Sequence, residues 1–223
     1  AAAVLLTAFV LWAVRVPSLP IRQVVVEQEL RHIRRDELER VLAGRFSGNF
    51  FSVDLEEVRS AVETLPWVRR VEVRRKWPSR LELGIEEHLP VARWEDAGED
   101  SGKNALVNTH GEVFFAVLGG AAAERLPQLY GPAGTALEVL WHYGEFARIL
   151  APIGQKPVRV RLSPRLAWQV RLENGMLIEL GREQSKSPVS ARLARFVEIY
   201  PGRVGNRQPP PAVIDLRYPN GFA

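Results

Sequence analysis

The chain has 223 residues, 46% of them hydrophobic and 25% charged, a balance that excludes disorder for the bulk and leaves room for one or two folded domains. It has no cysteine, which removes disulfides, thiol nucleophiles and cysteine-based metal sites without fixing the compartment. A net charge of +4 raises nucleic acid as a partner, but the arginines are interleaved with acids, as in Arg34-Arg35-Asp36-Glu37-Leu38-Glu39-Arg40, so no nucleic-acid surface is expected.

In chain order, Ala1 to Val14 carries no charge. It is shorter than the roughly 20 apolar residues a spanning helix needs, so residues 1–15 read as the outer part of a truncated N-terminal transmembrane helix. Trp12 would be its interfacial anchor. A signal-peptide core or a buried helix stays open for the same stretch. Two prolines make residues 16–20 a stiff linker. Ile21 to Glu27 is expected as a strand, Asp36 to Leu42 as a short helix, and Asp54 to Thr64 as a second helix. Asp54 can cap that second helix and Glu57 can complete a capping box, with Leu55, Val58, Val62 and Leu65 on one face. Val68 to Lys76 and Arg80 to Glu86 then form a hairpin around Trp77-Pro78-Ser79. The order β-α-α-β-β fills residues 21–88.

Residues 89–223 read as a mostly antiparallel β domain with two helices, which makes the whole chain α+β. Val91 to Trp94 and Ala105 to Asn108 are short strands, and Asn108-Thr109-His110-Gly111 turns into Glu112 to Ala116. Gly131-Pro132-Ala133-Gly134 is placed in a loop. Leu137 to Leu150 is helical, with Leu140, Tyr143, Ala147 and Leu150 along one side. Val158 to Leu162, Leu166 to Glu173 and Met176 to Leu180 are strands, the last two joined by the hairpin signal Asn174-Gly175. Ser187-Pro188 starts a helix that buries Leu193, Phe196, Val197 and Tyr200. Gln208-Pro209-Pro210-Pro211 leads into a final strand, Val213 to Tyr218. Trp67, Trp77, Trp94 and Trp168 are expected to pack in cores and at the domain junction.

Local signatures of catalysis are missing. The histidines 32, 88, 110 and 142 make no pair at helical spacing, so no metal site is expected. No Gly-x-Ser-x-Gly, Ser-x-x-Lys, Walker or dinucleotide pattern occurs, so no cofactor is expected either. Glu86 and Glu87 are neighbours on a strand and face opposite ways, which keeps them from sharing a reaction centre.

The passage Leu65-Pro66-Trp67-Val68, continued by Val71-Glu72-Val73-Arg74-Arg75-Lys76-Trp77-Pro78, resembles the end of a POTRA domain (a polypeptide-transport-associated module) of the FtsQ/DivIB family. Leu126-Pro127-Gln128-Leu129-Tyr130-Gly131, Leu180-Gly181-Arg182 with Arg192-Leu193-Ala194-Arg195-Phe196-Val197, and Asp215-Leu216-Arg217-Tyr218 follow in the family's order. The resemblance departs at Gln28, where many relatives carry glycine.

What the resemblance implies is a non-enzymatic divisome scaffold, single-pass in the bacterial cell inner membrane, with the bulk of the chain periplasmic. Its partners would be FtsB and FtsL, and the septal peptidoglycan synthase pair FtsW and FtsI in the same complex. FtsB would add a strand to the C-terminal edge strand, a mode that supplies backbone hydrogen bonds and leaves specificity to flanking side chains. By position, the partner-binding residues implied are Arg165, Arg217, Tyr218, Asn220 and Gly221. Both arginines would meet acidic partner residues, Tyr218 would offer a ring with a polar tip, and Gly221 would admit a close backbone. The alternatives are a POTRA-bearing outer-membrane assembly or secretion component and a membrane-anchored envelope enzyme.

Overall fold

The computed structural model describes residues 20–45, 49–96, 104–203 and 211–217. The expected transmembrane segment and nearly all of the linker lie outside them, and among the described residues no helix is long and apolar enough to cross a membrane. The chain divides between His88 and Leu89 into two compact units.

The first unit begins with strand β1 (Gln23–Val26), followed by helices α1 (Arg35–Leu42) and α2 (Leu55–Glu63) and strands β2 (Val68–Lys76) and β3 (Arg80–Glu87). Sheet order is β1-β3-β2: β3 pairs antiparallel with β2 through the hairpin, and β1 joins its other side in parallel. A parallel pair needs a crossover, which α1 and α2 supply. Alternation in β3 sends Leu81, Leu83 and Ile85 inward against Leu38, Leu42, Val58 and Val62. Each such side chain is worth about 1.5–3 kcal/mol when fully buried, so this one core stabilises both helices.

Asp54 caps α2 by accepting from the amides of Glu56 and Glu57 at 2.9 and 3.2 Å. Glu57, expected to close a capping box, instead reaches Arg45 at 3.1 Å. Glu86 and Glu87 do face opposite ways. Glu86 pairs with Arg69 at 2.8 Å, whereas Glu87 accepts from the consecutive amides of Arg31, His32 and Ile33 at 2.8, 2.9 and 3.0 Å. That carboxylate fixes the entry to α1. Gln28 donates its side-chain amide to the Ile85 carbonyl, which ties the chain leaving β1 to β3.

The second unit runs β4 (Pro90–Asp96), β5 (Ala105–Asn108), β6 (Val113–Phe115), α3 (Gly120–Arg125), β7 (Gln128–Gly131), α4 (Ala136–Leu150), β8 (Pro157–Leu162), β9 (Ala167–Leu172), β10 (Leu177–Arg182), α5 (Val189–Arg203) and β11 (Val213–Asp215). One eight-stranded sheet has the order β11-β10-β9-β8-β7-β4-β5-β6. Three of its pairings are parallel, β4–β7, β7–β8 and β10–β11, so the sheet is mixed. Helices α4 and α5 make the crossovers β7–β8 and β10–β11, and their apolar sides join the inward sheet residues in a single core.

Three sequence expectations change here. Three helices, not two, are present among the described residues of this unit, the extra one being α3. Gly131, placed in a loop with Pro132-Ala133-Gly134, instead ends the inner strand Gln128–Gly131, because register between β4 and β8 overrides that strand's short, proline-flanked sequence. Gly131 ends that strand where a Cβ would strike the Thr135 hydroxyl and meet Trp94 at 3.0 Å, so the start of α4 packs only on glycine. Lastly, α4 buries Ala136, Val139, Phe146 and Leu150, with Leu140 and Tyr143 at the margin, a face turned slightly from the expected one.

Candidate functional site

Strand β11 closes one edge of the eight-stranded sheet. Ile214 and Leu216 anchor it, 7% and 1% exposed, while Val213 is 51% exposed. The Leu177 amide donates to Ala212 and the Leu216 amide to Glu179, both at 2.9 Å. In a parallel ladder alternate residues bond to the same neighbour, so the backbone groups of Val213 and Asp215 face away from β10. Among the described residues they are the unpaired donors and acceptors of the edge.

Two residues hold β10 in position beneath that edge. The strand bulges between Glu179 and Gly181, where Gly181 has φ +74° and an added Cβ would meet the Arg217 Cγ at 2.9 Å. The stem of Arg217 therefore lies on glycine. Arg192 of α5 is 3% exposed and donates to the carbonyls of Leu180, Arg182 and Ser187, the last at 3.0 Å. Burial lowers its pKa, with Glu183 raising it and Arg195 lowering it in smaller measure. The carbonyls freed by the bulge thus receive a cation from the helix behind them. Sequence reasoning gave Arg192 no role, although it lies on the helix face of Val189, Leu193 and Phe196, where an arginine needs a buried acceptor. At the start of the same helix the Glu183 carboxylate takes the Val189 amide, beside the expected Ser187-Pro188 start.

Arg217 leaves β11 exposed, yet its guanidinium is forked on Asp215, with Nε to Oδ1 at 2.9 Å and Nη2 to Oδ2 at 2.6 Å. Its amide also donates to Oδ1 at 2.9 Å. The hydrogen bond from the Arg217 side chain holds the Asp215 carboxyl below the usual carboxylate range, against a smaller upward push from burial. The chain thus supplies Arg217 with an acid of its own.

Arg165 is exposed in the turn Ser163-Pro164-Arg165-Leu166 between β8 and β9. The Leu166 amide donates to the Ser163 carbonyl at 2.8 Å, and the Ser163 hydroxyl accepts from Ala167 at 3.0 Å. Leu166 has φ +57° and is 57% exposed, a left-handed conformation that costs a leucine about 1–2 kcal/mol. The turn thus presents an apolar side chain beside Arg165. β10 runs antiparallel to β9 and parallel to β11, so this turn and Arg217 lie at the same end of the sheet with β10 between them. Tyr218, Asn220 and Gly221 lie outside the described residues.

Trp168 is 2% exposed and packs on His142 and Phe146, and Trp94 is buried as well. Trp67 is half-buried and stacks on His32 at 4.0 Å. Trp77, expected in a core, is 75% exposed at the β2–β3 hairpin, because no element packs over that turn. Among the described residues no three side chains of histidine, aspartate or glutamate gather as metal ligands do.

Residues 92–217 match the family model described as cell division protein FtsQ/DivIB, C-terminal, and residues 19–88 match the POTRA domain, FtsQ-type. The chain is similar to the cell division protein FtsQ of Burkholderia pseudomallei, 41% identical over 95% of this chain and 82% of that one. It is 39% identical to FtsQ of Bordetella pertussis over 96% of this chain and 79% of the relative. FtsQ of Escherichia coli is 32% identical over 95% and 75% respectively. With a matched POTRA domain, a matched C-terminal domain and relatives aligned through both, the chain belongs to the FtsQ/DivIB family of cell division proteins.

Proposed function

We propose that this protein is a non-enzymatic scaffold of the bacterial division machinery that accepts a strand of FtsB on the open edge of β11. FtsL arrives with FtsB, and the synthase pair FtsW and FtsI is held in the same complex. Residues 1–15 anchor the chain in the inner membrane and the two folded units stand in the periplasm. The observation that supports this reading is the β11 edge, with the backbone groups of Val213 and Asp215 facing outward and Arg165 and Arg217 at one end of the sheet. Backbone pairing supplies affinity, and the two arginines with Leu166 set register and partner choice. Tyr218, Asn220 and Gly221, which follow in sequence, would add to the contact with FtsB.

Val213→Pro tests the reading. The Val213 amide points away from β10, so proline removes a donor from the open edge while leaving the β10–β11 ladder its hydrogen bonds. In calorimetric titration of the membrane-reconstituted chain with FtsB, the variant is expected to bind at least about ten-fold more weakly, roughly 1.4 kcal/mol. Unchanged affinity, with hydrogen exchange showing β11 still protected, would overturn strand addition at this edge.

A further inference from the structure

The outward face of the eight-stranded sheet carries a second ordered feature. Register pairs Arg93 with Gln128, Gln128 with Arg159, Arg159 with Arg171, Arg171 with Leu177 and Leu177 with Val213. Paired residues share a face, so these side chains form one row across β4, β7, β8, β9, β10 and β11. The row is basic at one end and apolar at the other.

Its three arginines meet no carboxylate within 4.0 Å among the described residues. Arg159 donates from Nε to the Gln128 amide oxygen at 2.7 Å, and Arg171 donates to the Gly175 carbonyl at 3.3 Å. The Arg93 Nε is shut off from solvent and has no acceptor among the described residues. Two depressions, of about 460 and 240 Å³, share Arg159 and Arg171, and the larger also takes in Arg93, Arg125 and Lys156 against the two acids Glu124 and Glu173.

The neighbouring row differs. Arg161 lies 4.5 Å over the Tyr130 ring, and Glu95, Glu179 and Asp215 stand in that row, paired by register with Tyr130, Gln169 and Glu179. These acids bound the positive band on that side. A uniformly charged polymer would overlap them and be repelled, whereas separate carboxylates on a narrow chain would not. Strands lie about 4.8 Å apart, so Arg93 to Arg171 spans about 15 Å. An extended peptide puts same-side residues about 6.6 Å apart, so three alternate carboxylates cover that distance. Guanidinium forks suit carboxylates, and Leu177 and Val213 offer an apolar continuation.

We infer that the row from Arg93 to Val213 is a second docking surface, which takes an extended, carboxylate-rich peptide segment of a partner protein, acidic over β4 to β9 and apolar over β10 and β11. The segment crosses the strands, whereas strand addition at β11 runs along them, so either proposal can fail without the other.

The test uses the full chain in nanodiscs and a fluorescein-labelled peptide of alternating glutamate and threonine with a valine tail, read by anisotropy. Saturable binding that weakens between 50 and 200 mM salt is expected, because exposed charge pairs are screened over about 8–10 Å. Arg159→Glu with Arg171→Glu is expected to weaken it at least ten-fold, and Arg159→Gln with Arg171→Gln to weaken it less while keeping side-chain length. Arg74→Glu with Lys76→Glu changes net charge equally on the first unit and is expected to leave affinity within about two-fold, since those cations are already paired. No saturable binding, or equal losses in the two charge-reversal pairs, would overturn the surface. Polyphosphate binding as tightly as the peptide, and lost with Arg159 and Arg171, would overturn the assignment to a peptide.

Discussion

The two units dispose of their charge in different ways. In the first, Arg34, Arg35, Arg40, Arg45, Arg59, Arg69, Arg74 and Lys76 each have a carboxylate within 4 Å, mostly across a helix turn or a strand pair. In the second, Arg93, Arg159 and Arg171 stand in a row and reach only amide oxygens or nothing. Exposed ion pairs contribute about 0–1 kcal/mol each, so the pairing in the first unit stabilises it little. The second unit keeps its cations open on a sheet face whose reverse side is already covered by α4 and α5.

Buried charge reverses the contrast, and it carries the largest expected effects. Each unit uses one sealed ionic side chain to bind three backbone groups: Arg192 holds three carbonyls in the second, and Glu87 holds three amides in the first. Arg192→Leu leaves the carbonyls of Leu180, Arg182 and Ser187 without their donor at the bulge. It is expected to cost about 3–5 kcal/mol, read by urea unfolding of the second unit. Hydrogen exchange should show protection lost first in β10 and β11 while β2 and β3 keep theirs. A variant as stable as the parent would remove Arg192 from the support of the edge.

Glu87→Ala is the counterpart in the first unit. The side chain is only 9% exposed, so the amides of Arg31, His32 and Ile33 lose an acceptor that water replaces poorly. A loss of about 2–3 kcal/mol is expected, with exchange accelerated at residues 31–33 and in α1. Glu86→Ala, which breaks only the exposed pair with Arg69, is expected to cost no more than about 1 kcal/mol. Equal costs for the two neighbours would erase the distinction between sealed and surface charge.

The first unit was the more legible in sequence. Alternation over Arg80 to Glu86 and helical spacing over Asp54 to Thr64 each act within one element, and its strand pairing follows from a tight hairpin and one crossover. In the second unit, local signals found β8, β9, β10 and α5, but β7 has four residues between prolines and owes its place to two neighbours distant in sequence. The arginine row could not be read for the same reason: Arg93, Arg159 and Arg171 meet only through that register. Arg165 and Arg217 came from resemblance, and nothing in the order of residues shows that Asp215 already occupies Arg217. Trp77 was misplaced because aromatic character marks burial only where another element covers it.

The smallest expected effect concerns that internal pair, and it sharpens the contrast because this cation in the second unit is satisfied. Asp215 has its carboxyl pKa lowered, first of all by the hydrogen bond from the Arg217 side chain. A carboxylate depressed on folding contributes stability that is fully present above its unfolded value, about 3.9. That contribution is lost as pH falls through the lower folded value, because protonation then releases the Arg217 fork. Asp215→Asn removes the titrating group. The difference in urea midpoint between the parent and Asp215→Asn is therefore expected to be constant from pH 7 to about 5 and to shrink below about pH 4. Arg217→Ala should flatten the same profile, since it removes the cause of the shift. Arg217 is 56% exposed, so the whole effect is modest and weakens with salt. A parent-to-variant difference that stays constant down to pH 2 would show that the fork does not tie Arg217 to β11. Arg217 would then be as open to a partner acid as the arginines of the row.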